Sequence, residues 1–418
     1  MNSTLSINIP RLKNNISKLS SFGKNCNNGI DRALGDETYK LSYEWLIDYW
    51  KTHLNLPVNI DAIANIWATK EGSSNLLPIV YGSHHDAVSN GGMYDGALGV
   101  LLATEVMETL IENNITLKHP FKIVSFTAEE PNPFNLSTLG SKVISGRLKK
   151  ENLIDLKDFS GKLSLYNVIN SLGGDLNKCE DVLSNKKDIA AFIECHIEQG
   201  RRLLDMDLSL ASVRCITGIY RENIKIVGEA NHAGTTIMCD RKDALVAASE
   251  FNVRLEKIIK KYNCNELVGT ISYLTVSPNS VGVIPSEVNL ILEIRSSNPE
   301  LKNSVLKELD NEIKDLEATR NVSIIRKLNL DQKEMYMDKQ IQKIINKGIA
   351  TTNEPVIELV SMAGHDAANM QLVTKSGMLF VKCNGKSHCL SEHADIKDIE
   401  KAGNALLQTL FILDKELD

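Results

Sequence analysis

The sequence predicts an α/β protein built on a mixed sheet and interrupted by a smaller inserted α/β sandwich. Three observations carry this prediction. Two short apolar runs, Leu77–Tyr81 and Phe121–Phe126, bracket a segment with helical apolar spacing, which reads as a βαβ unit with both sheet faces covered. From about residue 212 the pattern changes to strands and helices in the order βαββαβ, the order of a ferredoxin-like split βαβ sandwich. Beyond about residue 330 the first texture resumes. The expected layout is an outer domain made of residues 1–211 and 330–418, with residues 212–329 inserted.

Each element has its own signal. Tyr43 to Trp50 carries helical apolar spacing, as does Leu98 to Ile111 between the two apolar runs. In the insert, a strand near Asn223–Val227 precedes a long helix, Lys242–Lys261. Strands follow at Thr270–Val276 and Val288–Ile294, the second alternating cleanly between apolar and polar residues. A charged helix from Glu300 to about Thr319 and a strand at Val322–Leu328 complete the insert. The last helix runs from Ile396 to Leu413.

Composition bounds the function. The chain has 418 residues, 43% apolar and 24% charged, enough to fill large cores in about two or three domains and unlike a disordered chain. Lys plus Arg number 47 against 53 Asp plus Glu, a net charge of −6 without a dense basic cluster, which argues against nucleic acid as a partner. No apolar run approaches the roughly 18 residues of a membrane helix, and the first residues lack a secretory pattern. Eight cysteines lie scattered at 26, 179, 195, 215, 239, 264, 383 and 389 with no CxxC pair, the usage of free thiols in a reducing compartment. The expectation is a soluble cytoplasmic protein.

The histidines point to chemistry. Six of the nine (84, 85, 196, 232, 365 and 388) sit in short segments rich in Gly, Asp and Glu. Gly82-Ser83-His84-His85-Asp86 lies at the carboxyl end of a predicted strand, where open α/β sheets bind ligands. Strand alternation puts His84 and Asp86 on one face and His85 on the other, so His85 reads as packing and Asp86 as support for a ligating His84. Asp95, opening the next helix, reads by itself as an N-cap. Glu129 and Glu130 follow an apolar strand, and two adjacent buried carboxylates call for a cation. One could ligate a metal while the other serves as a general base. Glu194-Cys195-His196 and Ser387-His388 complete the set. Cys195 reads as a small core residue, because strand neighbours face apart. A His, Asp, Glu, His, His donor set suits zinc, manganese, cobalt or nickel. Five such ligands, with one carboxylate shared, suffice for two ions.

Taken together, GSHHDAVSNGGMYDGALGV, FTAEEPNPFNLSTLGS, ECHIEQG, ANHAGTTIMCDRKDAL, PNSVGVIPSEVNLILEIR, MAGHDA and GKSHCLSEH resemble the M20-type metal-dependent amidases of the hydantoinase/carbamoylase family. That family includes allantoate amidohydrolases, N-carbamoyl-L-amino-acid hydrolases and β-ureidopropionases. The segments run in family order from residue 82 to 393. The resemblance implies a metallo-aminopeptidase-like catalytic domain with an inserted lid and dimerisation domain, working as a homodimer. It implies that His84, Asp95 and His196 hold one divalent ion, and that Asp95, Glu130 and His388 hold a second. Glu129 would be the general base. His232 would reach the partner subunit's site, Arg295 would grip a substrate carboxylate, and Gln199 would contact substrate. His365 and Asp366 would support the site, and the Asp95–Gly96 peptide would be cis.

The chain departs from the family pattern in four places: Gly282 where Asn is usual, Ile237 where Pro is usual, the run Pro131-Asn132-Pro133 after the Glu pair, and Met362 for a common Gly. None is an implied ligand. The missing Asn removes a polar substrate contact of about 1–3 kcal/mol, which leaves the particular substrate open. The implied reaction is hydrolysis of the ureido or carbamoyl C–N bond of a small carboxylate, releasing ammonia and carbon dioxide. The alternatives are a dipeptidase or N-acyl-amino-acid deacylase of the same clan, and a metal-stabilised binding protein without activity. His53, His119 and His393 read as surface or core residues.

Overall fold

The computed structural model describes residues 5–182 and 188–417, and the chain divides into two compact units. The first comprises Met1–Arg214, Met337–Leu359 and Gly364–Asp418. The second comprises Cys215–Tyr336 with Val360–Ala363. Up to the division the elements are α1 (Ile9–Ser21), β1 (Ile30–Arg32), α2 (Glu37–Asp48), β2 (Val58–Ile60), β3 (Ile66–Lys70), β4 (Ile79–His84), β5 (Ala87–Gly91), α3 (Ala97–Glu112), β6 (Phe121–Phe126), α4 (Leu139–Ile144), α5 (Lys150–Leu153), α6 (Leu165–Ser171), β7 (Ala191–Ile197), α7 (Arg202–Met206) and β8 (Leu210–Ile216). There follow β9 (Gly218–Val227), α8 (Ala244–Lys261), β10 (Leu267–Ser277), β11 (Glu287–Ser296), α9 (Pro299–Arg320) and β12 (Ser323–Gln332). The remainder is β13 (Met335–Tyr336), α10 (Lys339–Ala350), β14 (Glu358–Ser361), α11 (Asp366–Met370), β15 (Ser376–Val381) and α12 (Ile396–Glu416).

Apolar continuity decides the centre of the first unit's sheet. Every residue of β4, β7 and β15 is buried, and only one of β6 is not. The strand order is β8-β15-β7-β4-β6-β3-β2. The four central strands run parallel, while β8, β3 and β2 pair antiparallel at the flanks. The sheet is therefore mixed, with its parallel core covered on both faces. Helix α3 is buried along nearly its whole length, from Ala97 to Leu110, because it packs between β4, β6 and β7 on one side and α1 and α12 on the other. Its apolar residues accordingly run around the helix.

The second unit has the order β-α-β-β-α-β, and its antiparallel sheet is arranged β10-β11-β9-β12. In β11 burial alternates strictly, with Val288, Leu290, Leu292 and Ile294 turned towards Phe251, Leu255 and Leu309 of the two helices. On the other face Asn223, Lys225, Tyr273, Asn289, Ile291 and Ile325 line a shallow concavity.

Boundaries shift where polar residues extend an element. Strand β9 starts at Gly218 rather than Asn223, and β12 ends at Gln332 rather than Leu328, because ladder pairing continues past the apolar stretch. Strands β8 and β14 are each divided between the units, β8 at Arg214/Cys215 and β14 at Leu359/Val360. Capping fixes helix starts: Asp243 accepts from the amides of Leu245 and Val246, so α8 begins at Ala244 rather than at Lys242. No helix among the described residues is long and apolar enough to cross a membrane.

Candidate metal centre

The carboxyl ends of the parallel strands gather the acidic and histidine segments, as open α/β sheets do with their ligands. His84 ends β4, Glu129 and Glu130 follow β6, and His196 is the penultimate residue of β7. Asp95 precedes α3, and His388 lies in the loop between β15 and α12. His84, Asp95, Glu129, Glu130 and His196 are buried, and His388 is half-exposed.

Asp95 is the hub. Its Oδ1 lies 3.1 Å from His196 Nε2 and 3.8 Å from His84 Nε2. Its Oδ2 lies 3.4 Å from His388 Nε2, which in turn lies 3.1 Å from Glu130 Oε1. Glu129 Oε2 stands 3.7 Å from His84 Nε2. Three donor triads result, each with atoms within 4.8 Å of one another: His84-Asp95-His196, His84-Glu129-Glu130 and Asp95-Glu130-His388. Asp95 does not cap α3, since the N-cap is Gly96 and Asp95 makes no capping bond.

The contacts behind the histidines set which nitrogen faces the hub. His196 Nδ1 lies 2.9 Å from the carbonyl of Ile197, so Nδ1 carries the proton and Nε2 presents a lone pair, which also accepts from the Gly96 amide. His84 Nδ1 lies 3.3 Å from Asp86 Oδ1 as an ion-pair contact, and its Nε2 faces the hub. Two imidazole nitrogens thus face carboxylate oxygens in a buried site. A cation between them answers that arrangement, and the nitrogen and oxygen donors suit a borderline or hard divalent ion. The residues present therefore fit a metal centre.

Electrostatics agree. Burial opposes protonation of His84, but Asp86 and the Glu129 and Glu130 carboxylates outweigh it and hold the imidazole well above its ordinary range. Burial lifts the Glu129 carboxyl well above the usual carboxylate value; His84 pulls it down, while Glu130 and Asp366 add to the rise. For Asp95, burial is overcome by His196 and His84, and the carboxyl is held far below its usual value. The hydrogen bond to Glu130 carries His388 up to about 9. A net excess of buried carboxylate is what a bound cation would offset.

The supporting residues stand close by. Asp86 accepts from the backbone amides of both Glu129 and Glu130 at 3.2 and 3.0 Å, tying the Glu pair to the His84 strand end. The His365 ring meets the His196 ring edge to face at 4.5 Å. Asp366 accepts from Ser141 Oγ, and burial with Glu194 nearby pushes its carboxyl up to about 8. His85 faces away and packs, its Nδ1 2.7 Å from Ser125 Oγ and its ring 4.7 Å from that of Tyr39. Cys195 is buried in the core, and all eight cysteines are free thiols.

Gln199, expected at the substrate, donates from Nε2 to Asp95 Oδ2 at 2.8 Å. In the second unit, His232 is exposed, and its Nδ1 accepts from the amides of Gly234 and Thr235. Arg295 donates to Glu293 and to the carbonyl of Met362. The Asp95–Gly96 peptide corrects an expectation. Among the described residues the only cis peptide is Ser277–Pro278, and the turn after Asp95 is made instead by Gly96 at φ +62°. There a Cβ would fall 2.1 Å from the His84 ring.

Three side chains at the site escaped the sequence reading. Glu194 accepts from Ser83 Oγ and the Ala367 amide; a Glu inside the apolar run of β7 was the available signal. Ser387 donates to Asp95 Oδ2. Glu392 accepts from the amides of Tyr94 and Asp95, and nothing in the polar loop around it singles it out.

Comparison with known proteins places this geometry in context. The model of peptidase family M20/M25/M40 matches residues 80–411. The chain is 31% identical to an N-carbamoyl-L-amino-acid amidohydrolase of Pseudomonas sp. (strain NS671), over 97% of this chain and 99% of that protein. It is 30% identical to a ureidoglycolate hydrolase of Arabidopsis thaliana, over 98% of this chain and 87% of that one. Among solved structures, an amidase of the hydantoinase/carbamoylase family from Burkholderia multivorans superposes with a TM-score of 0.89 at 27% identity, covering 99% of both chains.

Proposed function

This chain belongs to peptidase family M20/M25/M40 and is an amidohydrolase of carbon–nitrogen bonds in non-peptide amides; from that premise we propose that it cleaves the ureido or carbamoyl C–N bond of a small carboxylate, an N-carbamoyl amino acid or a ureido acid such as allantoate, releasing ammonia and carbon dioxide. The observation that carries the reading is the hub: the two oxygens of Asp95 serve two separate donor groups, with Glu129 beside them.

In this reading His84, Asp95 and His196 hold one divalent ion, and Asp95, Glu130 and His388 hold the other; zinc, manganese, cobalt and nickel all suit the set. Such ions, when bound, polarise the scissile carbonyl and make water acidic enough to attack near neutral pH. Glu129 takes the proton from the attacking water and returns it to the leaving nitrogen, a role that its raised carboxyl suits. Asp86 orients His84 and both Glu backbones, while His365 and Asp366 pack behind His196 and His84. Gln199, besides its bond to Asp95, keeps a buried Oε1 without a hydrogen-bond partner, an acceptor for a substrate N–H.

The inserted ferredoxin-like unit acts as lid and dimerisation module of a homodimer. His232 from a second copy donates to the carbonyl oxygen; because its Nδ1 accepts two amides, Nε2 carries the proton such a donor needs. Arg295 binds the substrate carboxylate bidentately once the lid closes, exchanging its Glu293 partner for substrate. The enzyme works in the cytoplasm.

The test is ammonia release by manganese- or zinc-loaded protein across allantoate, ureidoglycolate, N-carbamoyl-β-alanine, several N-carbamoyl-L-amino acids and a set of dipeptides. Ammonia from one ureido or carbamoyl acid is expected. New amine from dipeptides, without ammonia, would move the protein to the peptidase branches of the family.

A further inference from the structure

We propose that Glu392 is a positioning residue for Asp95: its carboxylate clamps the backbone that carries Asp95 and joins it to the loop that carries His388. The inference rests on the reading of Asp95 as the shared ligand.

The geometry is a closed circuit within the first unit. Glu392 Oε1 accepts from the Tyr94 amide at 2.9 Å and the Asp95 amide at 3.1 Å. These are the two N–H groups just before Gly96 turns the chain into α3. Ser387 Oγ, whose one proton goes to Asp95 Oδ2, lies 3.2 Å from Glu392 Oε2. Gln199 donates to that oxygen too. Asp95 is therefore held at its main chain by Glu392 and at its side chain by Ser387 and Gln199. Glu392 itself is 7% exposed, and its amide donates to the Cys389 carbonyl within its own loop.

A second observation comes from the opposite wall. A Cβ at Gly92 would lie 2.1 Å from Glu392 Cδ and Oε1, and 2.5 Å from its Cβ. The tight Gly91-Gly92-Met93 approach is thus shaped around this carboxylate, and a side chain at residue 92 would have to displace it. Glu392 bonds no group of His84, His196 or Glu129. Its polar contacts are the Tyr94 and Asp95 amides and Ser387. It therefore acts through Asp95, and outer partners that orient a ligand in this way typically carry 10–100-fold in metal affinity.

The test compares wild type, Glu392→Ala, Glu392→Gln and Gly92→Ala, each stripped of metal. Three quantities are read: manganese affinity by titration calorimetry, melting temperature of the metal-free form, and kcat and KM at saturating manganese on the best ureido or carbamoyl substrate. Glu392→Ala is expected to weaken manganese binding about 10–100-fold. At saturating metal it should lower kcat by tenfold or more with KM within about twofold, because Asp95 is misaligned while the substrate contacts stay. Glu392→Gln should recover to within about threefold of wild type, since one amide oxygen can accept both backbone N–H groups. Gly92→Ala should reproduce Glu392→Ala by pushing the carboxylate aside.

Wild-type manganese affinity in folded Glu392→Ala would overturn the proposal. So would a lowered melting temperature with affinity and kcat unchanged, which would make Glu392 a structural residue only. Failure of Glu392→Gln to rescue would also count against it, because the clamp needs acceptors and not charge. Should wild type bind manganese yet release no ammonia, the substrate reading fails while the affinity series still decides the role of Glu392. Wild type that binds no divalent ion would sink both.

Discussion

The two units solve burial in opposite ways. The first hides its central strands on both faces, so the only places where β4, β6 and β7 can present chemistry are their carboxyl ends. The second alternates, putting Val288, Leu290, Leu292 and Ile294 against two helices and leaving Tyr273 and Ile325 exposed. Charge follows the same division. In the first unit carboxylates are buried around histidines, where each unpaired charge is costly. In the second most of them lie near the surface in pairs such as Arg254 with Glu312 and Asp315, Glu222 with Arg326 being a buried exception. A doubly covered sheet leaves its strand ends for chemistry, whereas a half-covered one leaves a whole face to solvent.

Substitutions that respect or cross this division test it. The largest effect is expected from Glu129→Gln. Loss of the proton acceptor should lower kcat about 10²–10⁴-fold while elemental analysis still finds the bound metal; turnover near the wild-type level would remove Glu129 from its role. Next, Phe251→Ala empties a fully buried position in the second unit's core and should cost about 3–5 kcal/mol in urea unfolding. Manganese affinity measured on the folded fraction should not change, and a parallel loss of affinity would break the separation drawn between the units.

A smaller effect is expected with pH. The Asp366 carboxyl is raised from 3.8 to about 8 in the fold. Between those values the native state holds a proton that the unfolded chain has released, so its contribution to stability is lost as pH rises through that window. Melting of metal-free protein should therefore decline from about pH 4 to about pH 8, and Asp366→Asn should flatten part of the slope. An unchanged slope in the variant would show that other groups carry it. The smallest effect belongs to Arg254→Ala on the second unit's surface, at most about 1 kcal/mol by thermal melting. A larger loss would mean that the helix-to-helix pairs are not the surface kind.

The contrast between units also explains what the sequence made legible. Strands β4 and β6 stood out as unbroken apolar runs, and β11 by its strict alternation. The two-residue β13 carried no pattern long enough to see. His84 and Asp86 could be put on one face by strand parity alone. Asp95 could not, because a carboxylate before a helix reads first as a cap; only its resemblance to a known family separated the two, and the α3 cap is Gly96. Glu392 and Ser387 were invisible for a different reason. Their partners are backbone amides and a carboxylate nearly three hundred residues earlier, 292 in the case of Ser387 and Asp95, and no local spacing encodes such a bond.

That separation has a temporal side. Ribosomes deliver His84, Asp95, the Glu pair and His196 long before Ser387, His388 and Glu392, so the cage of donors is completed only after the whole second unit is made. Closing the cage is a late, long-range event, slow in the way all distant contacts are slow. A cation captured before that moment would meet His84, Asp95, the Glu pair and His196, but not His388. The last loop thus brings the final donors to a site whose other members were made long before.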